Sequence, residues 1–451
     1  QFAKARIERS EIEPPRQSHP TPLNKRRTKD MTDMSSMSRE SRKNQLRSRI
    51  ITGATPPQEE DSEQIIKKAE TRTRRRHLII FITILTMITA ATIANYWYNR
   101  SYQYKEADIV WERKFERDDA GFVEFEHFGE NMIKYSKDGA SYIDNKGKDV
   151  WIQSYQMHAP IIAVNGDYAA IADQQGNTIH IFGKDGPLGT ATTEIPITKI
   201  SISAKGLVAA ILQSSTASHI YYYTKEGVRL DLGITSYLNG EIGHPIDISL
   251  SPDGSLLMGS YIYLKGGQLK NRVAFYNFSE VGKNVSTRMV GGFHEMYDSS
   301  MIPKVCYLDD IYSVAFADSS ISFYSSLDVM SPELLKQVPV EEEIKTIFYG
   351  GNYAGIIVKS AGGEYDYRLD LYSEEGNHIF SKDFSYDYAH VDIDGDNIFL
   401  YNEDSCRIYN RFGNLKYEGT FDFPVSKIGN GSFPNQIIAT GPQVIKEIKL
   451  H

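Results

Sequence analysis

The sequence predicts an all-β domain, an eight-bladed β-propeller, preceded by one transmembrane helix and a basic tail. Three observations predict it. A polar turn followed by an apolar strand recurs eight times, a second turn falls between recurrences in fixed order, and one long uncharged apolar stretch lies ahead of them all.

The N-terminal part stands apart in charge. Residues 1–76 hold 19 Lys/Arg against 11 Asp/Glu, and the rest hold 31 against 47, so a basic segment precedes an acidic one. Residues 1–76 are rich in Ser, Thr, Pro, Arg and Lys without a sustained apolar period, which predicts disorder. The basic clusters Lys25-Arg26-Arg27, Arg42-Lys43 and Arg72 to Arg76 suit anionic lipid, where each basic residue near the surface adds about 1 kcal/mol.

From residue 78 to 94 there is no charge, and Asn95-Tyr96-Trp97-Tyr98 follows with aromatics of the kind that sit at headgroup level. The stretch reaches about 20 residues, enough to cross a bilayer. Positive residues stay inside, so the expected layout is a cytoplasmic tail (1–76), a transmembrane helix (77–98), a short linker (99–107) and an extracytoplasmic propeller (108–451) at the cell membrane. The segment ahead of the apolar stretch is too long for a cleaved signal peptide.

Beyond residue 105, short runs of Val, Ile, Tyr and Phe alternate with polar residues and are broken by Gly, Asn and Asp, the pattern of antiparallel sheets. The recurring turn ends at Asn131, Asp167, Gly206, Gly254, Asp310, Asn352, Asn397 and Asn435. The successive intervals are 36, 39, 48, 56, 42, 45 and 38, and their average is the length of a four-stranded blade. The second turn has an apolar residue, three mostly polar ones and then glycine, at Gly147, Gly186, Gly227, Gly282, Gly376 and Gly413; the fifth unit lacks the glycine. Two turns in order per unit predict one hairpin joining the first two strands and another joining the last two. A sandwich of two sheets would not explain the period.

After Asn435 there is sequence for only two more strands, whereas residues 108–115 form a strand ahead of the first complete unit. The expectation is that this strand completes the last blade from outside, closing the ring and removing free sheet edges. Seven blades is the runner-up count. Cys306 and Cys406 are too few for a disulfide framework, so two free buried thiols are expected, and cysteine scarcity in an exported domain points to a bacterial envelope.

The segment 243–260, with Gly243-His244, the turn Ser251-Pro252-Asp253-Gly254 and small residues in the next strand, resembles the start of a WD-repeat blade. The Trp-Asp pair of that family is absent, and the other units resemble the broader WD-like and quinoprotein-like propellers. Over residues 70–451, the order of basic residues, single span and propeller resembles an uncharacterised family of membrane-anchored propeller proteins of anaerobic Gram-positive bacteria. The resemblance implies no known activity.

Two connections are long, 234–245 and 291–303, and both join one blade's outer strand to the next blade's inner strand. They should therefore share a face near the central opening, bringing His244, His294, Glu295, Tyr297 and Asp298 into a polar and aromatic binding surface. Asp392, Asp394 and Asp396 resemble the opening of a calcium loop, but they sit at a turn every unit has, and the distal Glu is missing. No catalytic residue or cofactor is expected, and the acidic domain argues against nucleic-acid binding. The function expected is a non-enzymatic scaffold or sensor holding a protein or cell-envelope component; the alternative is an extracytoplasmic hydrolase or lyase acting on glycan or peptide.

Overall fold

The structure, a computed structural model, describes residues 59–115, 123–297 and 300–451. The tail clusters at Lys25, Arg26, Arg27, Arg42 and Lys43 lie outside these residues. Two units divide between Thr92 and Ile93 and are described one at a time.

In the first unit the helix α1 (Glu59–Ser101) begins. It starts at Glu59 rather than at residue 77, so the charged residues 59–76, expected to be disordered, are helical; Glu, Gln, Lys, Ala and Arg are good helix formers. Within it Ile66–Tyr98 is long and apolar enough to cross a membrane. Its threonines carry their own solution to an apolar surround. Thr83 donates to the Ile79 carbonyl at 2.8 Å, Thr89 to Leu85 at 3.0 Å and Thr92 to Thr89 at 2.8 Å, so each of these hydroxyls is satisfied within the helix.

The second unit contains eight four-stranded antiparallel sheets. Blades 1 to 7 occupy residues 123–154, 160–192, 197–236, 244–293, 304–339, 344–384 and 390–420, each with its strands in sequence order. Blade 8 takes three strands from 427–450, and β1 (Ala107–Lys114) pairs antiparallel with Val444–Leu450 as its outermost strand. Eight blades and the closing strand match the reading of the turns.

Apolar faces of neighbouring blades form the core. Ala170, Ile179 and Ile181 of blade 2 meet Ile202, Val208 and Leu212 of blade 3, and Phe125, Met132 and Ile143 of blade 1 meet Ile438 and Ile445 of blade 8. No blade covers its own faces, so each depends on both neighbours.

The glycine turns explain part of the period. Gly147, Gly227, Gly376 and Gly413 adopt φ between +74° and +83°, where a Cβ is strained. At three of them the preceding blade's aromatic ring also fills the space a Cβ would need: Trp111 at Gly147, Phe323 at Gly376 and Phe380 at Gly413. Gly282 differs, because its turn expands into a 3-10 helix, Val281–Asn284.

The topology gives the ring two faces. First-to-second and third-to-fourth strand turns lie on one, here the turn face; blade-to-blade connections and second-to-third strand turns lie on the other, the connection face. Residues 102–106 reach β1 from the turn face.

Closure is held by more than the ladder. The Trp111 indole donates to the buried Glu447 carboxylate at 2.7 Å, whose other oxygen accepts Ser432 N at 2.7 Å. Arg113 reaches across to blade 1, 2.5 Å from Asp149 and 2.8 Å from the Gly147 carbonyl. Replacing Trp111 by Ala is expected to cost about 3 kcal/mol, the low end for a tryptophan, since it opens the blade 8–blade 1 seam and leaves one oxygen of buried Glu447 without its donor. Chemical denaturation of Trp111→Ala checks this.

Candidate functional site

The innermost strands of all eight blades line a central channel of about 700 Å³. Its lining comes chiefly from the later halves of these strands and the turns after them, including Gly129, Gly166, Pro252, Gly351 and Asp394, so it opens on the turn face. Ile162, Ile200, Ile248 and Phe348 give the wall apolar stretches among predominantly polar surface. Its charged groups gather in two clusters.

On one side Asp247 of blade 4, nearly fully buried, accepts Val305 N at 3.0 Å and pairs with Lys304 of blade 5 at 3.1 Å. Ser249 accepts Tyr307 N at 2.9 Å, and the Lys304 ammonium lies 5.6 Å from the Tyr349 ring centroid of blade 6. Burial works against the Lys304 charge, but Tyr349, Asp247 and Cys306 outweigh it and hold the ammonium above the usual lysine pKa. Burial pushes Tyr349 and the Cys306 thiol each up to about 12, so both are neutral at pH 7 and Asp247 is the working counterion. A thiol so high carries almost no thiolate and is a poor nucleophile.

On the other side Lys427 of blade 8 sits between Asp392 of blade 7 at 2.9 Å and Glu126 of blade 1 at 3.0 Å. Burial opposes its charge, and Glu126 and Asp392 raise its pKa regardless. The Tyr401 hydroxyl donates to Asp392 at 2.6 Å, and burial together with that carboxylate keeps the phenol protonated. These ionisable groups are committed to one another across blade seams.

The three aspartates of the calcium-like segment each meet a different donor. Asp392 has Lys427 and Tyr401, Asp394 accepts Asn430 N at 2.9 Å, and Asp396 faces Arg411 at 3.3 Å. Asp392 and Asp394 tie blade 7 to blade 8, and Asp396 ties two turns of blade 7 to each other. Cys406 is buried in blade 7 and Cys306 half-buried in blade 5, both as free thiols.

The expected cluster on the long connections is divided. Topology does put both connections on one face, but it is the face opposite the channel's opening. His244 begins the inner strand His244–Leu250 and sits 2.6 Å from the Ser218 hydroxyl of blade 3. Tyr297 is buried in the core, its hydroxyl 2.5 Å from that of Tyr324. His294 and Glu295 are exposed, and Asp298 lies outside the described residues.

A different feature dominates the connection face. The middle hairpin of blade 4 has ten-residue strands, Leu256–Lys265 and Gln268–Asn277, where most blades have five to seven. Four extra residues extend it about 13 Å. Its tip, Gly266-Gly267, has φ of +59° and +78°, the tight turn glycine allows. Leu264 N donates to Leu238 O at 3.1 Å, joining the hairpin to the connection before it. Tyr237, Leu238, Leu264 and Leu269 are left exposed together on these two elements, Leu269 by 56 %. The signal was present in the sequence as the interval from Gly254 to Asp310, the longest of the seven.

Residues 99–450 match the model of a family described as a family of unknown function, DUF5711. No curated protein matches the chain in sequence. Among solved structures it is similar to BamB from Moraxella catarrhalis, at 11 % identity over 76 % of this chain and 100 % of that one, with a TM-score of 0.48. It is also similar to Chaetomium thermophilum Sqt1 bound to the N-terminus of the ribosomal protein L10, at 10 % identity, 72 % and 92 % coverage and a TM-score of 0.48. Kuenenia stuttgartiensis hydrazine synthase gives 13 %, 69 %, 98 % and 0.40.

Two outcomes are expected from the site's electrostatics. Asp247→Ala leaves Lys304 without its counterion and should destabilise by about 3 kcal/mol, the low end for a buried pair because Lys304 keeps some solvent contact; adding Lys304→Met should recover part of the loss, as a double-mutant cycle in denaturant measures. Burial also lowers the pKa of His180, His219 and His244. The unfolded rings protonate first below about pH 6.5, so stability is full above that pH and falls as pH drops through the lower folded-state values. His244→Gln should flatten this decline below about pH 6.5 in denaturation curves taken across a series of pH values.

Proposed function

The chain belongs to the DUF5711 family of unknown function, and from that premise we propose that it is a membrane-anchored binding scaffold whose propeller holds a protein partner on its connection face. The single observation that carries this reading is the blade 4 projection, where Leu264 and Leu269 of the hairpin and Tyr237 and Leu238 of the connection bonded to it stand exposed. Clustered apolar and aromatic side chains on an ordered element are the kind of anchor that dominates protein interfaces. Lys265 at the tip and Arg272 stacked on Tyr263 give the projection a basic character within an acidic domain, which favours an acidic partner.

Binding rather than catalysis is favoured by how the channel's charges are engaged. Lys304 with Asp247, and Lys427 with Glu126 and Asp392, form ties between blades. A catalytic centre would need such groups aimed at a substrate. His294 and Glu295, exposed on the next connection, extend the proposed surface.

Anchoring follows in this reading from a single crossing by the uncharged stretch 78–94 within Ile66–Tyr98, with the basic residues Arg72 to Arg76 at its cytoplasmic end and the propeller outside. The basic residues before the uncharged stretch would then rest on anionic lipid. A bacterial cell envelope is the proposed setting, on the ground of the chain's having only Cys306 and Cys406.

The test uses the full chain in its own membrane, with a photo-crosslinking residue at position 264 or 269 and a control on the turn face at position 185. The expected result is one discrete crosslinked protein from the first two positions and none from the control. Leu269→Asp should weaken that partner's binding about 30-fold, as loss of an interface anchor does. Equal labelling from both faces would sink the proposed surface.

A further inference from the structure

Residues 96–104 do not hang free between the apolar helix and β1. They are bound to the turn between the third and fourth strands of blade 7 and to the start of the fourth strand. The Arg100 carbonyl accepts Asn410 Nδ2 at 2.9 Å and Asn414 Nδ2 at 3.3 Å, and the Tyr102 carbonyl accepts Lys416 Nζ at 2.6 Å. Tyr104 N donates to Lys416 O at 2.7 Å. Next to these bonds the Arg100 guanidinium lies 3.8 Å from the Phe412 ring centroid and 5.3 Å from that of Trp97, and Tyr96 meets Phe412 edge-on at 6.5 Å.

The chemistry of this cluster is specific. Both rings lie within cation–π reach of the guanidinium, whose planar fork of N–H donors is the group that grips a phosphate through two hydrogen bonds. Among the described residues no carboxylate pairs with Arg100. Trp97 and Tyr98 beside it are exposed by 58 % and 61 %, which an aqueous surface does not favour and a bilayer interface does. Arg411 adds a second cation at the same turn, itself held by Tyr353 and Asp396.

The position along the chain fits the same partner. Arg100 is six residues beyond Ala94, the last of the uncharged apolar stretch, or about 9 Å along a helix. That is close to the depth of one headgroup layer, roughly 5 to 8 Å. Helical side chains lean towards the N-terminus, here back towards the apolar stretch, and the long arginine stem covers the remaining distance.

We infer that Arg100, Trp97 and Phe412 form a lipid-headgroup site, in which the guanidinium binds a lipid phosphate and the blade 7 turn 410–414 itself touches the membrane surface. The inference rests on the reading of Ile66–Tyr98 as a span. It adds that the propeller is seated on lipid by its own residues, with a preference for anionic headgroups.

The full chain in nanodiscs of phosphatidylcholine and phosphatidylglycerol, doped with a lipid carrying a photoreactive headgroup, tests this by mass-spectrometric mapping of the adducts. Adducts are expected on 96–100 and also on 410–414, with none on the matching turn of blade 3 at 224–228. R100Q should lower the yield at 410–414 about fivefold, the effect of one basic residue at an anionic surface, with an unchanged melting temperature. Adducts confined to 96–100, or a yield indifferent to R100Q, would overturn the site. Flotation with vesicles after an alkaline wash separates the two readings. A chain that fails to float defeats the span and this inference together, whereas one that floats without adducts at 410–414 defeats the inference alone.

Discussion

Pairing of β1 with Val444–Leu450 is the constraint on which the rest of the unit depends. Each blade is a thin sheet whose two faces are covered only by its neighbours, so an open row of eight would leave two apolar faces in water. Drawing the outermost strand of blade 8 from the opposite end of the unit's sequence turns that row into a ring. Trp111 contributes to the seam in two directions, by its indole bond to Glu447 and by the contact of its ring with the Gly147 turn of blade 1.

The channel's charged groups belong to the same problem. A buried ion pair adds little net stability over a well-packed apolar contact, because desolvation offsets most of the attraction, but losing one partner is costly. Pairs between blades therefore penalise misplacement more than they reward correct assembly. Asp247 takes both Lys304 and the Val305 amide, and Lys427 bridges blades 7, 8 and 1. Eight similar sheets could pack in a slipped register; these contacts fit only one.

How much was legible in the sequence follows from which interactions are local. Turns need Gly, Asn or Asp for backbone reasons wherever the sheet lies, so Asn131 through Asn435 gave the number of blades, and a spare strand at 108–115 gave the closure. The destinations of side chains were not legible, because they depend on neighbours distant in sequence. Tyr297, read as part of a surface, is buried against Tyr324, and His244 is turned to Ser218 of the preceding blade. Asp247 and Lys304 were visible as charges within apolar strands, yet their pairing across the blade 4–blade 5 seam required the fold. The long blade 4 hairpin lay in plain view as an irregular interval, whereas the clasp at Arg100 joins residues from opposite ends of the propeller's sequence.

That clasp has a mechanical side. Any pull arriving through the helix would meet the Asn410, Asn414 and Lys416 bonds to residues 100–104 before it reached β1. Those bonds act as strain relief, passing load to blade 7 through several parallel links. Without them the same tug would fall directly on the strand that fastens the ring, and force alone could unbutton it.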